Sequence, residues 1–324
     1  MTVKVLPLET IAKRAEKNHY DLDDLPWAQG LDFTKFFFPE HLTPLYHTPI
    51  YQELNDEQQL AYNQLYGQAV NEQFIFLEDR FLVQFLGNML PKHRATLEPA
   101  LVDALDNFVE EEVKHTEMFR KLGRLSNAAR YAESDFYFLR LGRAEGALLD
   151  FMARRPDFFV FWCVLGVAFE EKTIDYFRHY QRHEKERPDR PLDPLYYEVH
   201  RAHMLDEVRH VQIDHHLVKH FYEHRGAFVR TINYKLIART LRAYTRPKRT
   251  NMRIVEDLVR VRPELAPQLE AMQAQIRALA WSKDWQEISY SRKNVPQTFA
   301  LFDEFPELHA LSRDLLCYEP EPVS

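Results

Sequence analysis

Two pentapeptides of this chain carry nearly the same phrase: EEVKH at residues 111–115 and DEVRH at 206–210. Each reads acid, Glu, Val, base, His, so each sets a Glu and a His three positions apart. On a helix, positions i and i+3 share one face, and a carboxylate and an imidazole there can hold one cation together. One Glu-x-x-His is a weak signal, because a chain with 15 His and 49 acidic residues meets that spacing by chance. Two copies of the same phrase are harder to dismiss. Each copy also follows a Glu set in an apolar stretch: Glu78 lies 34 residues before Glu112, and Glu171 lies 36 before Glu207.

The resulting order is Glu, Glu-x-x-His, Glu, Glu-x-x-His. Ferritin-like carboxylate proteins use this order to aim side chains from four helices at two metals. Without cations, four carboxylates in so apolar an interior would each cost several kcal/mol or be forced to stay protonated, by the general penalty of about that size for burying unpaired charge. Glu78, Glu112, His115, Glu171, Glu207 and His210 are therefore the expected metal ligands. His203 stands at i to Glu207 at i+4 and His210 at i+7, on the same face; by itself it reads more readily as a core histidine, or one supporting the ligands, than as a ligand. The leading acid of each phrase has a role too, since a metal-bound imidazole usually donates its free N–H to a carboxylate. Asp206 is expected to accept from His115 across the bundle, and Glu111 from His210.

Long helices must position these residues. With eight glycines among 324 residues the chain has few tight turns, and its 18 prolines supply the punctuation. A helix is expected from Asn55, a capping residue, to Pro91, with Phe74, Ile75, Glu78, Leu82 and Phe85 on one stripe. A second is expected over about 95–125, with Leu105, Phe108, Glu112, His115 and Phe119 aligned. Residues 126–157 look like a helical connection, and FFVFWCVLGVAFEEKTIDYFRHYQRH reads as a central helix. A fourth runs from about Leu195 to His224; further helices are expected in 228–245 and 263–281, and the tail CYEPEPVS reads as frayed. The fold class is thus all-α, a ferritin-like four-helix bundle core (55–225) with an N-terminal wrapping segment (1–54) and a C-terminal helical extension (226–324), a single domain overall.

Composition narrows the partners. Hydrophobic residues are 45% and charged residues 28%, an ordinary globular balance, and the net charge of -7 gives no support for nucleic-acid binding. The N-terminus lacks the apolar core of a signal peptide, and the most apolar run, FFVFWCVLGVAF, is too short to cross a bilayer. Cys163 and Cys317 do not form a disulfide framework, which suits a cytoplasmic setting.

Over roughly residues 45–220 these motifs resemble the para-aminobenzoate N-oxygenase family of di-iron oxygenases. NEQFIFLE is similar to that family's first ligand helix, placing Glu78; EEVKHTEMF is similar to the second, carrying Glu112 and His115. HMLDEVRH matches the family's H-x-x-x-E-x-x-H, which makes His203 an expected ligand beside Glu207 and His210. In AFEEKTID, Ile174 and Asp175 fit the family with Glu171 as the ligand, and Glu170 is the alternative. The resemblance implies two iron ions, with manganese open from the ligand types. It also implies O2, a small amine substrate oxygenated at nitrogen, and an external electron donor such as a ferredoxin or flavoprotein reductase.

Alternatives stay open: oxidation at carbon of a hydrophobic or carrier-bound substrate, a ferroxidase, or a ribonucleotide-reductase-like subunit. A homodimer is the assembly considered. The run Arg246, Lys248, Arg249, Arg253 reads mainly as a solvated basic patch, and His215, His216, His220 and His224 as surface or outer-layer residues. Cys163 sits in the most apolar stretch, where a thiol is inert; Gly166 and Cys163, one and two turns before Glu170, read equally as room left near the metals and as ordinary helix packing.

Overall fold

The computed structural model describes residues 5–322, and the architecture is all-α. Among these residues the one β-type pairing is a parallel bridge between Phe36 and Leu192. The helices, in order, are α1 (Leu8–Asn18), α2 (Asp56–Ile75), α3 (Gln84–His93), α4 (Pro99–Ser126), α5 (Arg143–Ala153) and α6 (Phe161–Glu186). They continue with α7 (Pro194–Leu217), α8 (Ala227–Thr245), α9 (Arg249–Val261), α10 (Leu269–Ala278), α11 (Lys283–Ser289) and α12 (Pro296–Glu304). None is long and apolar enough to cross a membrane.

Local chemistry starts the long helices. Asn55 accepts from the Gln58 N–H at 3.0 Å while the Gln58 side chain accepts from the Asn55 N–H at 3.0 Å, a closed capping box for α2. Asp193 caps α7 through the Tyr196 N–H at 2.9 Å, with Pro194 in the first turn where its missing donor does no harm. Between α2 and α3 the rod continues through a π-helical stretch, Phe76–Val83. The four rods pack as a bundle, α6 against α7 and α2 against α4, with α4 also meeting α7. α6 is buried on nearly every side from Phe161 to Asp175, as a central helix must be.

The flanking segments close the bundle. α1 lies over α4 and α7 and sinks Ile11 into the core; residues 22–53 follow as proline-punctuated 3-10 turns with Phe37, Phe38 and Leu45 fully buried. Gly67 admits this wrap, since a Cβ there would lie 2.7 Å from the Phe37 Cβ. On the other side α8 and α12 cover α6, and α9 covers α2.

Four details differ from the sequence reading. α3 runs past Pro91 to His93, because proline forfeits only its own N–H while the Arg94 N–H still reaches the Leu90 carbonyl at 2.9 Å. The connection after α4 is mostly irregular, with only α5 helical. The basic run opens an unanticipated helix, α9, held by buried Ile254, Val255 and Leu258. The tail is packed as far as Tyr318, whose ring meets Phe299 and Phe302 at 5.4 and 5.7 Å. Val323 and Ser324 at its end, and Met1–Lys4 of the supposed leader-free N-terminus, lie outside the described residues.

Candidate metal centre

Glu78 leaves the α2–α3 rod inside its π-helical stretch, a distortion that recurs at functional sites because it re-aims one side chain without ending the helix. α4 contributes Glu112 and His115, and α7 contributes His203, Glu207 and His210; all six are buried. His203 Nε2 lies 3.0 Å from Glu78 Oε1 and 2.5 Å from Glu207 Oε1. His115 Nδ1 faces Glu207 Oε1 at 3.4 Å and Glu112 Oε1 at 3.9 Å. His210 Nδ1 faces Glu112 Oε1 at 2.8 Å and Glu207 Oε2 at 3.2 Å. Two overlapping groups result, Glu78, His115, His203, Glu207 and Glu112, His115, Glu207, His210, each compact enough to hold a metal ion.

The donor atoms converge on one another in the bundle interior. Both oxygens of Glu78, Glu112 and Glu207, together with Nδ1 of His115 and His210 and both ring nitrogens of His203, are buried without a hydrogen-bond partner. Buried polar atoms are otherwise almost always paired, so this concentration of orphans fits cations, for which carboxylate oxygen and imidazole nitrogen are suitable donors.

The far side of each imidazole is held. His115 Nε2 lies 2.9 Å from Asp206 Oδ2, and His210 Nε2 lies 2.8 Å from Glu111 Oε2. The base in each pentapeptide, for which sequence reasoning found no role, neutralises these acids. Lys114 Nζ lies 3.0 Å from Asp206, while Arg209, itself buried, reaches Glu111 at 2.5 Å and Asp206 at 2.6 Å. The signal was present in the repeat, since both copies carry a base at the same place.

Electrostatics follows from this arrangement. Burial, with Glu112 and Glu207 nearby, holds the Glu78 carboxyl well above the usual range, and burial pushes Glu112 up to about 7. Burial drives His203 well below the usual histidine range, helped by His115. Burial also opposes charge on His210, yet the carboxylates of Glu207, Glu111 and Glu112 around it raise it well above that range. Burial opposes charge on Asp206 as well, but its contacts with His115 and Lys114 keep it ionised below the usual aspartate range.

The third helix carries Glu171 and Glu170 side by side. Glu171 is not brought to the other six residues. Its carboxylate accepts from the main-chain N–H groups of Gln297 at 2.9 Å and Thr298 at 2.7 Å, closing the N-terminus of α12. Glu171 and its neighbour point about 100° apart on a helix, and that neighbour, Glu170, is also buried.

One further acid escaped sequence reasoning. Asp214, one turn after His210, is fully buried with both oxygens unpartnered, and burial raises it well above the usual range. It rests on Gly166, where a Cβ would come within 2.5 Å of its Oδ2. This contact fixes the register of antiparallel α6 and α7: one turn on along α6 stands Glu170, and one turn back along α7 stands His210. Among the outer histidines, His215 proves buried and His216 Nε2 meets the Leu6 carbonyl at 2.9 Å, while His220 and His224 are exposed.

A protein-family model described as P-aminobenzoate N-oxygenase AurF matches residues 5–288, most of the chain. No curated protein matches it.

Proposed function

Because the chain belongs to the P-aminobenzoate N-oxygenase AurF family, we propose that it is an O2-dependent di-iron oxygenase that oxidises the nitrogen of a small arylamine. The observation that carries the reading is the cluster of buried, unpartnered carboxylate oxygens and imidazole nitrogens on α4, α7 and the π-helical stretch. Glu78, His115, His203 and Glu207 would hold one iron, and Glu112, Glu207 and His210 the other. Glu170 would replace Glu171 as the ligand of the third helix. Its place opposite His210 supports this, and so does the prior engagement of Glu171 by α12.

When bound, the iron pair supplies reduction of O2 and delivery of one oxygen atom to the substrate. The protein's own work is positional and electrostatic. Asp206 and Glu111 accept the Nε2 protons of His115 and His210, which keeps each Nδ1 free and aimed inward. Lys114 and Arg209 keep those acids charged. Phe74 and Phe119 wall His203 with ring centroids at 4.8 and 4.9 Å, and Phe108 stacks on His210 at 4.0 Å, which excludes water from the pair. Electrons would come from a ferredoxin or flavoprotein reductase. A reducing cytoplasm suits the two free thiols, Cys163 and Cys317.

The test is elemental analysis of protein expressed with iron, followed by reduction, O2 and an arylamine panel read by mass spectrometry. Two irons per chain with hydroxylamine or nitro products are expected. Iron-free protein, or products oxygenated only at carbon, would refute the proposal.

A further inference from the structure

A cavity of about 820 Å³ opens between the π-helical stretch, α6, α8 and α9. Its floor is apolar: Phe76 and Leu77 immediately precede Glu78, Phe169 immediately precedes Glu170, and Ala238 and Tyr244 complete it. Its rim is cationic. Eight lining residues are Arg or Lys and only two, Glu145 and Asp314, are acids, in a chain whose overall net charge is -7. The basic run that looked like an ordinary surface patch in sequence is therefore part of a cavity wall.

Five of these eight cations are already engaged. Arg242 pairs with Asp314, Arg249 reaches Glu145 at 3.5 Å, and Arg140 and Arg253 donate to the Tyr137 and Phe138 carbonyls at 2.9 and 2.7 Å. Arg246 is buried, donates from Nη2 to the Asp314 carbonyl at 3.4 Å and lies over the Trp281 ring at 4.3 Å, with its Nε left unsatisfied. Lys235, Arg239 and Lys248 have no ion-pair partner among the described residues. Desolvation and the neighbouring Arg246, Arg242 and Arg249 lower Lys248 from the usual lysine range.

We propose that this cavity binds a phosphorylated small molecule, its apolar or aromatic end on the Phe76–Phe169 floor and its phosphate or diphosphate group on Lys235, Arg239, Arg246 and Lys248. A lone carboxylate is matched by one or two cations; three unpaired ones around a single mouth, with the free Nε of Arg246 beside them, match a group with more charge and more acceptor oxygens. The volume is of the size that holds a drug-sized ligand, well beyond a single ring. The recess also favours a small molecule over an acidic protein, which would meet only the exposed rim. That the floor leads the reacting end toward the metals rests on the di-iron reading; the anion site does not.

Phenyl phosphate and benzoate share a ring and differ in the anion, which makes them the probes. Calorimetric titration of the iron-loaded protein at pH 7.5 should give one phenyl phosphate per chain, with benzoate at least about tenfold weaker, as expected from losing one charge-assisted hydrogen bond. Lys235→Ala/Arg239→Ala/Lys248→Ala removes only exposed side chains, so it should fold normally and weaken phenyl phosphate at least about tenfold. No binding, equal binding of benzoate, or no effect of the triple variant would overturn the proposal. Glu112→Ala, which should lose metal, separates this site from the centre. Binding retained there is expected, and binding lost with the metal would place the anion on the irons and sink the rim site. Iron absent from the wild type with phenyl phosphate still bound would sink the di-iron reading alone.

Discussion

Glu170→Ala and Glu171→Ala change adjacent residues of α6 and should have opposite consequences. Glu171 is buried and satisfies two main-chain N–H groups at the start of α12, Gln297 at 2.9 Å and Thr298 at 2.7 Å. Loss of a helix cap costs about 0.5–2 kcal/mol, and hydrogen bonds to a charged acceptor are worth about 1.5–3 kcal/mol each. Part of this is recovered because Glu171 is itself held up by desolvation. A net loss of about 2 kcal/mol is expected, which in a chain of this size lowers the melting temperature by roughly 3 °C. Iron content should not change. Glu170→Ala should remove a ligand, so iron per chain falls below two, while the chelator-treated protein melts no lower than wild type. Glu171→Gln keeps one acceptor oxygen and should recover part of the stability. Elemental analysis and thermal melts with and without chelator read both effects. Full iron in Glu170→Ala together with iron-free Glu171→Ala would reverse the proposal.

Asp206→Asn removes the charged acceptor from His115 and a counter-charge from Lys114 and Arg209; iron affinity measured by chelator competition should fall about 10–100-fold with the fold retained, and no change would refute the orienting role. Gly166→Ala drives a methyl into the Asp214 carboxylate, with 2.5 Å to Oδ2 and 2.9 Å to Oδ1, and should cost about 1–3 kcal/mol in chemical denaturation, relieved by adding Asp214→Ala. Glu112, pushed up to about 7 from 4.5 in the unfolded chain, keeps a proton in the folded state that the unfolded state has lost between those values, so its contribution to metal-free stability falls as pH rises through that window and levels off above it. Chelator-treated Glu112→Gln should therefore gain on wild type as pH rises from 4.5 to 7; a constant difference would refute the shift.

The bundle was readable because its signals are local and repeated. Glu112 with His115, and Glu207 with His210, advertise themselves at i,i+3, and Asn55 and Asp193 mark the starts of α2 and α7. Glu170 and Glu171 were not separable in the same way. Both lie on one buried turn, and what distinguishes them is α12, which arrives more than 120 residues later in the chain to occupy one of them. Asp214 was hidden for the same kind of reason: its meaning depends on Gly166 in a neighbouring helix. The basic run looked like surface because charge does not reveal whether a wall is convex or concave. Only the fold of α8 and α9 against the π-helical stretch makes it a cavity.

The pentapeptide works as a unit, and the reason lies in how its two copies cross. Each copy spends its His and its Glu on the shared interior and its leading acid on the other copy's His: Asp206 on His115, Glu111 on His210. The valines face outward, Val113 at 51% and Val208 at 37% exposure, and need no further account than the helix period. The bases are not equivalent. Arg209 bridges both acids from a buried position, whereas Lys114 reaches only Asp206 from near the surface and lies over the Tyr20 ring at 3.6 Å. The two halves are therefore joined by one guanidinium: its Nη2 donates to both carboxylates while its Nη1 is held by the Leu205 carbonyl at 3.1 Å, a rigid placement that a flexible ammonium stem does not give. That is a physical reason for the second copy to carry Arg where the first carries Lys.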